Sequence, residues 1–131
     1  MEKIINDIMD LLHARLDVIN QAEQTERTET ESCYIDGKKA VYKGFLETIE
    51  SFITIKELKN DIEKRREFLR FYSNLYRKRW DEYSYEINNN GQILKCYGDG
   101  IYDTMRGRRD ACSDIYHELK RMLEVIPDGK N

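Results

Sequence analysis

A long stretch without helix breakers, residues 45–90, most constrains the fold of this 131-residue chain. It contains neither Gly nor Pro, and apolar or aromatic side chains recur every three or four residues from Ile55 to Ile87. This spacing places them on one face of an α-helix. The same spacing runs from Leu94 to Ile126, just before the single Pro. One Pro and few Gly do not suit a many-turned β-sandwich, so the sequence predicts an all-α fold, a helical bundle.

The N-terminal part of the chain is predicted to hold two shorter helices, residues 1–20 and 36–53, each with an apolar stripe. Residues 21–35 between them are mostly polar and form the predicted linker, with a frayed extension of the first helix as the alternative. Asp36 suits the N-cap of the second helix, because its carboxylate can accept a hydrogen bond from a free backbone amide.

The C-terminal part is predicted to form a long antiparallel helix hairpin from residues 55–89 and 92–126. Thr54–Glu57 fits a capping box that starts the first long helix, although one unbroken helix across this segment also fits. Asn88–Gly91 is predicted to end it, because Asn and Gly tolerate the left-handed conformation of a helix end. Gly98, Gly100 and Gly107 weaken the last helix, and they fit either a break at Tyr97–Gly100 or the close approach of a neighbouring backbone.

The two shorter helices can lie against one face of this hairpin, which makes a single helical domain. A monomeric four-helix bundle and a homodimer of hairpins fit the pattern equally well. No apolar run reaches the length of a membrane span, and the first residues lack the features of a signal peptide. Three cysteines without metal-like spacing suit free thiols in a reducing compartment. The sequence therefore predicts a cytoplasmic protein with no membrane partner.

Basic and aromatic residues are concentrated in residues 64–109. This segment holds eleven bases and six acids, although the whole chain has a net charge of −3. Arg binds phosphates and forms hot spots of protein interfaces, and aromatic rings stack on bases. The predicted partner- or phosphate-binding residues are Arg70, Arg77, Arg79, Arg106, Arg108 and Arg109. The predicted stacking or interface residues are Tyr76, Trp80, Tyr83 and Tyr102.

A purely structural role for these residues is the alternative. The arginines can pair across the hairpin with Asp103, Asp110 and Asp114, while the Tyr rings fill the core and keep their hydroxyls in water. The acidity of the whole chain argues against nonspecific binding to duplex DNA. This acidity is compatible with local binding of a nucleotide, an RNA strand or an acidic protein. The sequence alone leaves both interpretations open.

An acidic cluster on the last helix, Asp110 and Asp114 with His117 and Glu118, has the spacing that can align ligands for a divalent metal. Residues Ser113–Glu118 resemble, over one or two helical turns, a helix of the all-α nucleotide pyrophosphohydrolases. The resemblance implies a metal-dependent nucleotide hydrolase. The companion E-x-x-E pair of that family is missing, so we favour charge pairing with neighbouring arginines, and no metal or cofactor is predicted.

Other catalytic patterns do not occur in the sequence. Neither of the two histidines follows an Arg at the R-x4–6-H spacing of the helical ribonucleases. The G-x-x-x-x-G-K-[ST] frame of a phosphate loop is missing, and no Cys has a His in a local motif. The chain is therefore predicted not to be an enzyme.

In its short length and its many Tyr and Arg residues, the chain is similar in character to accessory proteins of bacteriophages and other mobile elements. These include inhibitors of host defence nucleases. This likeness in character implies a protein that inhibits or modulates a host protein or nucleoprotein through its Arg and aromatic residues. A bundle that binds a nucleotide or single-stranded nucleic acid is the second hypothesis. The metal-dependent hydrolase is the third.

Overall fold

The computed structural model describes residues 2–25, 28–53, 62–96 and 100–125. These residues form four α-helices and no strand, which confirms the predicted all-α class. The helices are α1 (Glu2–Glu23), α2 (Glu29–Ile53), α3 (Ile62–Cys96) and α4 (Ile101–Val125). Helix α4 packs against both α2 and α3, and α1 packs against α2. None of the described helices combines the length and the apolar character that crossing a bilayer requires.

The core lies where the apolar stripes of the four helices meet. The ring of Phe45 on α2 contacts those of Tyr72 and Tyr76 on α3, with centroid distances of 5.5 and 4.9 Å. Aromatic pairs at such distances stabilise the fold by more than the burial of their surface area alone. The largest side chains with less than 2% exposure come from every helix: Ile8, Leu12, Phe45, Ile49, Leu69, Cys112 and Leu119.

The connection between α1 and α2 is shorter than the predicted linker 21–35. Helix α1 extends to Glu23 and α2 begins at Glu29, so the predicted N-cap at Asp36 was wrong. The N-cap is Thr28, whose Oγ1 accepts a hydrogen bond from the Glu31 amide at 3.1 Å. Residues Thr28–Glu31 have the T-x-x-E pattern of a capping box, so the sequence contained the signal for this boundary.

Helix α3 ends later than predicted. It passes through Asn88–Gly91 and ends at Cys96, so the predicted end at residue 89 was wrong. The Asn89 side-chain amide donates to the Tyr85 carbonyl and that of Asn90 to the Glu86 carboxylate, both at 2.9 Å. These bonds within the helix satisfy the side chains that otherwise compete with helical backbone hydrogen bonds.

Residues 97–99 of the break that the sequence offered lie outside the described residues, which place the end of α3 at Cys96 and the start of α4 at Ile101. Gly100 has a φ of 79°, and α4 begins at Ile101. Gly is suited to this left-handed conformation because it has no Cβ. The predicted last helix, residues 92–126, is therefore divided, since residues 92–96 belong to α3. The predicted start of the long helix at residue 55, and hence the choice between one helix and two over 36–89, lies outside the described residues.

Candidate binding sites

Stacked cationic and aromatic side chains join α3 to α4 at what we call the cation–aromatic surface: Arg77, Trp80, Tyr116, His117 and Lys120. The guanidinium carbon of Arg77 lies 4.4 Å from the Trp80 ring centroid and 5.5 Å from that of Tyr116. The Trp80 centroid is 5.9 Å from that of Tyr116 and 5.5 Å from that of His117. The ammonium of Lys120 lies 5.8 Å from the Tyr116 centroid. Two cations therefore share one group of rings.

This surface is accessible to a partner. The side chain of Arg77 is 48% exposed, His117 and Lys120 are exposed, and the Trp80 and Tyr116 rings are half-buried. Arg77 Nε also lies 3.4 Å from a carboxylate oxygen of Asp81, whose side chain is itself 62% exposed. Ion pairs at such exposure contribute little to stability, so the pair leaves Arg77 available.

The histidine of the surface has a defined tautomer. His117 Nδ1 lies 2.7 Å from the carbonyl oxygen of Ser113. Because a carbonyl oxygen only accepts, we assign the proton of the neutral imidazole to Nδ1, which donates to it. The Nε2 atom of the neutral ring is then an acceptor on an exposed side chain.

Two of the predicted binding arginines take part in ion pairs within α4. Arg106 pairs with Asp103 at 3.0 Å, and its guanidinium lies 5.0 Å from the Tyr34 ring centroid. Arg109 pairs with Asp110 at 2.9 Å. Both ion pairs lie within α4, whereas the structural interpretation of the arginines expected pairing across the hairpin. Arg70, another predicted binding residue, is exposed on α3.

The other two predicted arginines, Arg79 and Arg108, line a cleft of about 330 Å³ where α2, α3 and α4 meet. The predicted aromatic residues Tyr76 and Tyr83 line it as well. Arg79 lies over Tyr76, 5.3 Å from the ring centroid. Burial raises the pKa of the Tyr76 phenol, so this hydroxyl stays neutral. We call this space the arginine cleft.

The last of the predicted aromatic residues, Tyr102, lies apart from both sites. It packs near the end of α3, where the ammonium of Lys95 is 4.5 Å from its ring centroid. A Cβ on Gly91 would be 3.2 Å from the same ring. The structure therefore places Tyr102 beside the turn rather than with Trp80.

The candidate metal ligands Asp110 and Asp114 tie α4 to the N-terminal helices. Tyr34 donates a short hydrogen bond to Asp110, and Tyr42 donates to Asp114 at 2.8 Å. Asp114 also pairs with Arg15 at 3.1 Å. Sequence reasoning missed this pair because no local pattern connects residues so far apart. In the part of the chain that the structure describes, no three or more His, Cys, Asp or Glu side chains are placed to hold a metal ion.

The pKa shifts in this group follow from burial and hydrogen bonding. Burial raises the pKa of Tyr34 to about 12, and the hydrogen bond to Asp110 adds to the effect. For Asp110, burial acts to raise the pKa, but hydrogen bonds from Tyr34 and Arg109 outweigh it and lower the pKa below its ordinary value. Asp110 is therefore a hydrogen-bonded carboxylate in the neutral range.

Comparison with known proteins adds no functional assignment to this geometry. No protein-family model matches the chain, and no curated protein or solved structure matches it either.

Proposed function

We propose that the chain is a non-enzymatic cytoplasmic binding protein that docks onto the acidic surface of a host protein or nucleoprotein through the cation–aromatic surface. The observation that carries this proposal is the position of Arg77, whose guanidinium lies 4.4 Å from the Trp80 ring centroid while the side chain stays 48% exposed. Trp, Tyr and Arg are the residues most enriched at the energetic centres of protein interfaces.

The stacking of Arg77 favours binding because it holds the side chain in place before a partner arrives. A free Arg loses much rotamer freedom when an interface immobilises it, whereas a side chain already held over two rings loses less. The cation–π contact leaves the guanidinium edge able to donate to a carboxylate. Lys120 adds a second positive charge at the same rings, which favours an acidic partner.

The scaffold of this surface is proposed to be the long antiparallel hairpin expected from the sequence. Two contacts support it. Lys95 contacts Tyr102 close to the turn, whereas Trp80 contacts Tyr116 further from it, so the residue pairs run in opposite chain directions. A surface carried by two packed helices holds its side chains more firmly than one on a loop.

The proposed biological setting is an accessory protein of a phage or another mobile element that inhibits or modulates a host protein. This part of the proposal depends on the size and composition of the chain. A protein of this kind acts by occupying a surface, and the cation–aromatic surface supplies both charge and ring area for that purpose.

The test is affinity capture from host extract with the tagged protein and two charge-matched variants. Arg77→Gln removes the stacked cation, while Lys43→Gln removes one positive charge from an exposed position of α2. Loss of a charge-assisted hydrogen bond should lower the amount of retained partner by about tenfold or more in Arg77→Gln. Lys43→Gln should retain the wild-type amount.

Two results would contradict the proposal. Equal retention of the partner by the wild type and Arg77→Gln would remove the cation–aromatic surface from the interface. Retention of a nuclease-sensitive strand without protein would instead support the alternative of a bundle that binds single-stranded nucleic acid.

A further inference from the structure

The arginine cleft has an unusual charge composition. Helix α2 lines it with small residues, including Ala40 and Gly44. Helix α3 contributes Tyr76, Arg79 and Tyr83, and α4 contributes Arg108. Both charged residues in this lining are therefore arginines, and none of its described residues carries a carboxylate. The cleft shares no residue with the cation–aromatic surface, so its role is independent of the proposed function.

Arg108 has a buried donor without an acceptor. Its Nε atom is shielded from solvent and makes no hydrogen bond in the described part of the chain. Buried donors of folded proteins are nearly always paired, so an unpaired one calls for an explanation, and a bound ion is one of the known ones. An Arg stays protonated, so its positive charge persists in this position.

Arg79 and Arg108 line the same cleft from two different helices, α3 and α4. Burial raises the pKa of the nearby Cys112 thiol to about 12, while the charges of Arg79 and Arg108 both act to lower it. Two like charges that line one cleft repel each other. An anion between them would remove this repulsion.

Three other arginines of this region show a contrast. Arg77 pairs with Asp81, Arg106 with Asp103 and Arg109 with Asp110. No such ion pair links Arg79 or Arg108 to a carboxylate among the described residues. The described residues therefore supply no carboxylate that balances the charges of these two arginines.

We propose that the arginine cleft binds a phosphate group, with Arg79 and Arg108 donating to its oxygens from two different helices. A phosphate monoester carries a charge of about −1.5 to −2 at neutral pH, which matches the two positive charges of the arginines. A single carboxylate would leave one of these charges unbalanced. Guanidinium forks also fit phosphate oxygens well. The volume of about 330 Å³ is near the lower limit of small-molecule pockets, which suits a small phosphorylated molecule.

The experiment measures the thermal unfolding midpoint and the binding heat with three probes: inorganic phosphate, adenosine monophosphate and adenosine. Phosphate-containing probes should raise the midpoint, because a ligand that binds only the folded state stabilises it. Adenosine should have no effect. Tighter binding of the monophosphate than of inorganic phosphate would assign the cleft to a phosphate monoester, and equal binding would assign it to free phosphate.

Arg108→Met and Arg106→Met form a matched pair of variants. Arg108→Met removes an unbalanced charge, so the ligand-free protein should melt at the same temperature as the wild type or higher. Its affinity for the phosphate probe should fall by about tenfold or more. Arg106→Met removes a charge that is paired with Asp103 and should leave the affinity unchanged.

Three results would overturn the proposal. One is the lack of a midpoint shift and of binding heat with both phosphate probes. Another is an equal response of the wild type and Arg108→Met. The third is a response to adenosine as large as that to its monophosphate, because the phosphate would then contribute nothing.

Discussion

Gly37 of α2 and Gly107 of α4 lie where the two helices cross, and each faces the backbone of the other helix. A Cβ on Gly37 would collide with the carbonyl oxygen of Thr104, and a Cβ on Gly107 would collide with that of Tyr34. Glycine at both positions lets the two backbones approach closely. Gly107 is therefore a packing residue within a continuous helix and does not mark a break.

Substitution of either glycine by Ala should destabilise the protein. Overpacking of a tight contact costs about 1–3 kcal/mol, which outweighs the gain of about 1 kcal/mol in helix propensity when Ala replaces Gly. Gly44→Ala is the matched control in α2, because a Cβ there meets no atom within 4 Å. Urea unfolding followed by circular dichroism should show losses for Gly37→Ala and Gly107→Ala and a gain for Gly44→Ala. A gain for all three would contradict the close crossing.

Asp114 should matter more for stability than its partner Arg15. The Tyr42 side chain is 3% exposed, so Asp114→Ala would leave the buried hydroxyl that donates to it without an acceptor, at a cost of about 1–3 kcal/mol. Arg15 is 44% exposed, and Arg15→Ala should cost about 0–1 kcal/mol, the range of exposed ion pairs. Chemical denaturation of both variants measures the difference. Equal losses would show that the Tyr42 hydrogen bond contributes nothing.

The protein should lose stability at alkaline pH because Tyr34 is harder to ionise in the folded state. Its folded pKa is raised from 10.0 to about 12. The stabilisation is fully present below pH 10 and is lost as the pH rises through about 12, since the unfolded phenol ionises first. Unfolding midpoints of the wild type and Tyr34→Phe, measured from neutral pH to pH 12, should show a smaller alkaline loss in the variant. Parallel curves for the two proteins would contradict this assignment.

The all-α fold of this protein follows from its periodic apolar pattern. Two helix boundaries, however, are set by side-chain hydrogen bonds that outweigh the general preferences of the residue types. The capping box at Thr28–Glu31 starts α2 before Asp36, and the Asn89 and Asn90 side chains bond within α3 instead of ending it. Both signals are local, so a capping-box search would have found the first. The second depends on which acceptor each amide reaches in the folded helix.

The division of the arginines into paired and unpaired groups was not predictable from one sequence. Arg106 and Arg109 pair with acids within a turn of the same helix and not across the hairpin. Arg79 and Arg108 line the same cleft only because α3 and α4 pack together beside α2. Similarly, tertiary contacts place two predicted binding residues, Arg77 and Trp80, beside three that were not predicted: Tyr116, His117 and Lys120. Such contacts leave no local spacing pattern.

The most direct test of the account is site-specific photo-crosslinking to a partner in host extract. A photoreactive residue replaces Lys120 at the cation–aromatic surface in one sample and Glu47, an exposed residue of α2, in the other. The account predicts a discrete protein crosslink from position 120 that Arg77→Gln suppresses, and no crosslink of that mass from position 47. Crosslinks to the same protein from position 47 alone, or equal crosslinks from both positions, would contradict it.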